Sequence, residues 1–264
     1  MLLSQVLKGK VALVTGSASG IGRGIIGSLS AAGATTVMHG LLPPDELNRR
    51  ADALSAETGN EVDRVSADLT DYERVYAMID DLEAKHGKID ILVNNAGIQH
   101  MGAVKDYPED KWRQLMAILL DAPFYASKAV LPGMLDRGWG RIVNTGSMHA
   151  LVASPFKAPY NAAKHGVAGF TKTLALEVAK SGITVNCVCP GFVETELVRK
   201  QLKDQAETRG VSVEEVVDIM LADQPIGRFI KPEEIGGLVR HLCTEEAGAI
   251  TGACLSVDGG WVAR

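Results

Sequence analysis

Short runs of β-branched and apolar residues alternate with stretches of helical periodicity along the whole chain, and no other feature limits the fold so tightly. Strand-like runs fall at 10–15, 35–39, 61–66, 89–94, 141–145, 184–189 and 253–257. Helix-like segments lie between them at 21–32, 45–58, 71–86, 109–136, 158–180 and 233–243. In 71–86 the apolar Val75, Met78, Ile79 and Leu82 fall on one face. The strand runs are apolar on both sides, as a parallel sheet covered by helices requires. Repeated βα units with right-handed crossovers predict α/β architecture: one Rossmann-type domain over 1–264, its doubly wound parallel sheet of about seven strands flanked by helices on both faces. The polar stretch 194–222 reads as helical in pieces, and the segment near 192–225 is expected to cover the substrate.

Charge narrows the function classes. With 27 basic and 32 acidic residues the net charge is −5, which argues against binding nucleic acid or an anionic membrane surface. The four cysteines, Cys187, Cys189, Cys243 and Cys254, have no metal-ligand spacing, so reduced buried thiols and no metal are expected. The first residues lack the pattern of a secretory signal, and no run of about 20 apolar residues is seen. A cytoplasmic protein is the expectation.

The first strand runs into TGSASGIG, beginning at Thr15. Gly16 suits a sharp turn, and Ser17 and Ser19 are small polar residues in the loop. Gly20, Ile21 and Gly22 open the next helix, whose free N–H groups and positive end favour a pyrophosphate. Gly22, Gly24 and Gly27 also match GxGxxG, but that match begins inside the helix and is rejected as register-shifted. The second strand ends in Met38-His39-Gly40-Leu41, with neither an acid to hold two ribose hydroxyls nor a cation to meet a 2′-phosphate. That favours NAD over NADP, with Arg23 on the helix as the residue that weakens the choice. Asp68 and Leu69 follow the third strand, where Asp68 either receives an adenine amino group or caps a helix. Asn94-Asn95-Ala96-Gly97 ends the fourth strand in a tight turn able to lie against the cofactor.

Tyr160 and Lys164 share one helical face at i, i+4, and Ser147 follows the fifth strand, where ligand sites of such sheets open. A cation about 4 Å from the phenol is worth about 4 kcal/mol at an effective dielectric near 20. That would bring the phenol down by up to about 3 pH units and allow proton exchange near neutrality.

Taken together, TGSASGIG, NNAG, Ser147, Tyr160-x-x-x-Lys164 and Pro190-Gly191 make the chain resemble the short-chain dehydrogenase/reductase family over essentially its whole length. The resemblance implies an NAD-dependent enzyme with Ser147, Tyr160 and Lys164 catalytic. It implies cofactor contacts from Gly16, Ser17, Ser19, Gly20, Ile21, Gly22, Asp68, Leu69, Asn95, Ala96, Gly97, Tyr160, Lys164, Pro190, Gly191 and Val193. Within the family, NNAGIQH, GRIVNTGSMHALVAS, Lys157, YNAAKHGVAGFTK, LVRKQ and the terminal VDGGWVAR resemble a bacterial subgroup that oxidises (R)-3-hydroxybutyrate to acetoacetate. That closer likeness implies substrate contacts from Gln99, Ser147, His149, Lys157, Tyr160, Gln201 and Trp261, and a homotetramer assembled through the long helices. One ammonium with neutral donors suffices to pair a small carboxylate. A reductase of 3-oxoacyl thioesters, a sugar or polyol dehydrogenase, and a non-catalytic NAD-binding protein are the alternatives.

The chain departs from the family pattern at three places. Leu119 stands where the family usually has an Asn that holds a relay water. Phe192 replaces a larger or more polar aromatic. His39-Gly40-Leu41-Leu42 replaces Asn-Gly-Phe-Gly.

Overall fold

Every side chain of β1 (Val11–Val14) is buried, and they alternate between two apolar cores. Ala12 and Val14 face α1 (Gly20–Ala31) and α8 (Pro232–Leu242), while Leu13 joins the opposite core with α3 (Tyr72–His86) and α5 (Ala122–Arg137). The same alternation recurs in β4 (Ile91–Asn94), where Ile91 and Val93 face one core and Leu92 the other. This is the pattern of a sheet with helices on both faces. The computed structural model describes residues 5–196, 198, 199, 202, 206 and 210–263.

Seven parallel strands form one sheet in the order β3-β2-β1-β4-β5-β6-β7. The remaining strands are β2 (Thr35–His39), β3 (Val62–Val65), β5 (Gly140–Thr145), β6 (Ile183–Pro190) and β7 (Cys254–Val257). Strand order reverses between β1 and β4, so their carboxyl ends open a crevice for a ligand. α2 (Pro44–Thr58), α4 (Glu109–Met116), α6 (Ala158–Val178) and α7 (Val213–Leu221) complete the described helices of eight residues or more.

α4 and α5 are joined by a π turn over Ala117–Asp121. The whole run, Glu109–Arg137, is long and apolar enough to cross a membrane by length and composition. Lys111, Arg113, Asp121 and Lys128 interrupt it in sequence, which is why no unbroken apolar run is visible there. Here Ala122, Ala126, Val130 and Met134 serve as core packing. Of the expected segment 192–225, the described part holds α7, and Leu202, Ala206 and Val216 form a separate apolar cluster there. All four cysteines are free thiols, and Cys187 and Cys189 do point the same way, their sulfurs 3.8 Å apart.

Candidate active site

The glycine turn is held by the strand across the crevice. The Thr15 hydroxyl accepts from the backbone N–H groups of Asn95, at 2.9 Å, and Ala96, at 3.0 Å. The Asn95 amide donates back to the carbonyls of Thr15 and Gly16 at 2.9 and 3.1 Å. Gly16 has φ +62°, and a Cβ there would lie 2.7 Å from the Ala96 Cα, so both conformation and space require glycine. Ser19 stands at the N-cap of α1 without using its hydroxyl as a cap. The first N–H groups of the helix therefore have no side-chain partner at that end, which suits a pyrophosphate. Gly24 has a different purpose: a Cβ would meet the Pro232 backbone at 2.5 Å, so it lets α1 pack on α8.

Gly16, Ser19, Gly20, Ile21, Gly22, Asp68, Leu69, Asn95, Ala96, Gly97, Pro190 and Gly191 line one cleft with Gln99, Ser147, Tyr160 and Lys164. Its volume is about 550 Å³, within the usual range for small-molecule sites. Ser17 and Val193 are turned away from it. The Ser17 hydroxyl donates to the Val14 carbonyl at 2.7 Å and accepts from the His39 N–H, and Val193 is core beside Ile230. Asp68 accepts from the Thr70 N–H and hydroxyl, bonds that lower its pKa. The N-cap of α3 is Asp71, so Asp68 is not the helix cap.

Two residues at the β2 end of the cleft have roles that the sequence reading did not assign. His39 is buried, its Nδ1 accepting from the Gly16 N–H at 3.1 Å while Nε2 meets the Ala67 carbonyl at 3.0 Å. An acceptor at Nδ1 leaves the ring hydrogen on Nε2, so the imidazole is neutral, and burial lowers its pKa. Arg50 of α2 reaches the cleft wall, which corrects the expectation that no cation serves this end. Arg23 is held elsewhere by Glu57 at 2.6 Å.

A buried polar chain aligns the other end. The Asn94 amide donates to Asn144 Oδ1 at 2.8 Å and to Ser127 at 3.2 Å, and the Asn144 amide donates to Thr171 of α6 at 2.9 Å. These bonds join β4, β5, α5 and α6, and so hold Ser147 against the α6 face that carries Tyr160 and Lys164. The Ser147 hydroxyl oxygen accepts from the His149 N–H at 3.1 Å. Lys164 is buried, with Nζ donating to the Thr145 carbonyl at 2.6 Å and lying 5.7 Å from the Tyr160 ring centre. Burial brings Lys164 down to about 8, against the opposing pull of the Cys187 and Cys189 thiols. Burial also raises the Tyr160 phenol, with the Ser147 hydroxyl pulling the other way. The largest influence on the phenol is thus burial, and not the lowering by Lys164 expected from the i, i+4 spacing.

Behind Tyr160 the expected substrate residues gather. The His149 ring packs edge-on to those of Tyr160 and Trp261, with centres 6.2 and 5.9 Å apart. Lys157 Nζ is 3.5 Å from His149 Nε2, and Ser154 Oγ is 3.4 Å from it. Burial and the Lys157 charge bring His149 down to about 4. Asp258 accepts from the N–H groups of Gly260 and Val262 at 3.0 Å each, fixing the turn that carries Trp261. Gln201 lies outside the described residues. Leu119, in the π turn, is buried among Leu115, Ala163, Ile98 and Tyr160. The Phe192 N–H donates to Gln224 at 2.8 Å.

The strand order, the helix end open at its reversal and the Ser147, Tyr160 and Lys164 cluster define an oxidoreductase on a dinucleotide-binding fold. The chain belongs to the short-chain dehydrogenase family, whose model, "short chain dehydrogenase", matches residues 10–206. It is 44% identical over 256 residues to the D-beta-hydroxybutyrate dehydrogenase of Rhizobium meliloti (strain 1021), covering 97% of this chain and 99% of that one. It is also 44% identical over 260 residues to the protein of that name from Cupriavidus necator, covering 98% and 100%. Among solved structures, a gluconate 5-dehydrogenase from Burkholderia cenocepacia J2315 in complex with NADP and tartrate superposes with a TM-score of 0.90 at 34% identity, covering all of both chains.

Proposed function

We propose that this enzyme oxidises (R)-3-hydroxybutyrate to acetoacetate with NAD. The observation that carries the reading is Lys157. It is half-buried, burial lowers its pKa, and no carboxylate among the described residues pairs with it. Trp261, which packs on the same His149 ring that Lys157 approaches, has a buried Nε1 with no hydrogen-bond partner among the described residues. A half-buried, unpaired ammonium and an unused buried N–H donor around one imidazole call for an anion. His149, held neutral, adds a further polar atom without adding charge. The two hydroxybutyrate-named relatives support the same substrate.

The α1 N-terminus, Asn95 to Gly97 and the Asp68–Leu69 wall fit a nicotinamide dinucleotide, which when bound supplies the hydride acceptor. Lys157 and Trp261 hold the substrate carboxylate, and Gln99 and Gln201 are assigned to the same anion. The 3-hydroxyl then points at Ser147 and Tyr160. Ser147 donates to the reacting oxygen, because its own lone pair is engaged by the His149 N–H. As the phenolate, its own proton released to solvent and its charge stabilised by the Lys164 ammonium, Tyr160 takes the hydroxyl proton during oxidation, and as the phenol it returns it during reduction. Lys164, fixed on the Thr145 carbonyl, keeps the floor of the site positive as charge develops on that oxygen. The segment near 192–225 closes over the substrate. The exposed Phe124 of α5 and Leu176 of α6 support association of copies, and a cytoplasmic homotetramer is the proposed form.

Lys157→Met tests the carboxylate model. Charge-assisted hydrogen bonds are worth about 1.5–3 kcal/mol, so KM for the acid rises at least about tenfold while kcat changes much less. An unchanged KM removes the model.

A further inference from the structure

We propose that Arg50 and Glu46 act together as the specificity-determining pair for the dinucleotide: Arg50 meets the adenosine ribose and any 2′-phosphate on it, and Glu46 sets how much positive charge Arg50 offers. This rests on the dinucleotide reading above. Among the described residues the cleft wall carries two cations, Lys164 beside Tyr160 and Arg50 at the opposite end, with Ala18, Gly40 and Leu41. Arg50 is not a free surface arginine. Its Nη1 donates to the Ala18 carbonyl in the glycine loop at 2.8 Å. Its Nε and Nη2 both donate to Glu46 Oε1, at 3.1 and 2.5 Å, one helical turn back on α2. The two side chains are comparably half-exposed, 34% for Arg50 and 33% for Glu46.

The guanidinium is therefore fixed in position before any ligand arrives. Three of its five N–H groups are committed among the described residues, which leaves two for a ligand in the cleft that Arg50 lines. Its charge, however, is offset by the Glu46 carboxylate in direct contact. A ribose with two hydroxyls loses little from that compensation. A 2′-phosphate, near two negative charges, meets an arginine already neutralised and a carboxylate that repels it. The pair thus tilts the cleft toward the unphosphorylated cofactor, although an arginine is present.

The test measures dissociation constants of NADH and NADPH by fluorescence titration, and kcat/KM with NAD and NADP, for the unaltered protein, Glu46→Gln, Arg50→Gln and Arg50→Lys. Glu46→Gln keeps an oxygen for Arg50 but removes the charge, so the preference shifts toward the phosphorylated cofactor by about tenfold. Arg50→Gln leaves a bare carboxylate and shifts it several-fold the other way. Arg50→Lys, which keeps the charge but lacks the planar fork that Ala18 and Glu46 hold, falls between them. Ratios within twofold of the unaltered protein in Glu46→Gln and Arg50→Gln alike overturn the pairing. The unaltered protein's own ratio tests the NAD reading separately: preference for NADP there overturns that reading, while the variants still decide the role of the pair.

Discussion

His39 Nδ1 accepts a hydrogen bond from the Gly16 N–H at 3.1 Å, so the last residue of β2 holds the first glycine of the cofactor loop. Its Nε2 anchors on the Ala67 carbonyl past β3, and one ring therefore joins three neighbouring strand ends.

His39→Leu should keep the volume and lose both bonds. Leaving buried polar groups unpaired costs about 1–3 kcal/mol each. The expected result is a lower unfolding midpoint together with a cofactor dissociation constant raised at least about tenfold, and a smaller change in kcat. A destabilised variant that binds cofactor as before would show that the ring only fills space.

Leu119→Asn examines the missing relay residue. The surrounding Leu115, Ala163 and Ile98 offer no polar partner, so the amide loses apolar burial and has only the Tyr160 side and the cleft to turn to. Denaturant titration should show a loss of about 3 kcal/mol, with kcat within about threefold of the original. A rise in kcat of tenfold or more would mean that a water relay was waiting for this side chain.

Acid stability should report His149. Its pKa is about 4 in the fold and near 6.5 when unfolded, so between these values the unfolded chain binds a proton that the native state refuses. Stability is complete above about pH 6.5 and falls as pH drops toward 4, by up to about 3 kcal/mol from this group. The difference in unfolding free energy between the protein and His149→Gln, followed across that window, should carry this slope. A difference independent of pH contradicts it.

Much of this was legible because apolar runs in a two-sided parallel sheet have few readings, and because Tyr160 and Lys164 sit four apart on one helix. Arg50 was not legible: it reaches the cleft from α2, remote from the loop it touches, and only the i, i+4 pairing with Glu46 hinted that it was held. The π turn at Ala117–Asp121 hides inside a continuous helical pattern. The direction of the Tyr160 shift differs from the expectation because spacing puts Lys164 on the right face but does not show how strongly burial raises the phenol.

The central claim is tested most directly by following NADH formation with (R)-3-hydroxybutyrate and NAD, beside the (S)-acid, NADP, gluconate and a 3-hydroxyacyl thioester. Saturable turnover confined to NAD and the (R)-acid is the predicted result. Turnover of the thioester or gluconate in its place, or none with NAD demonstrably bound, would contradict it.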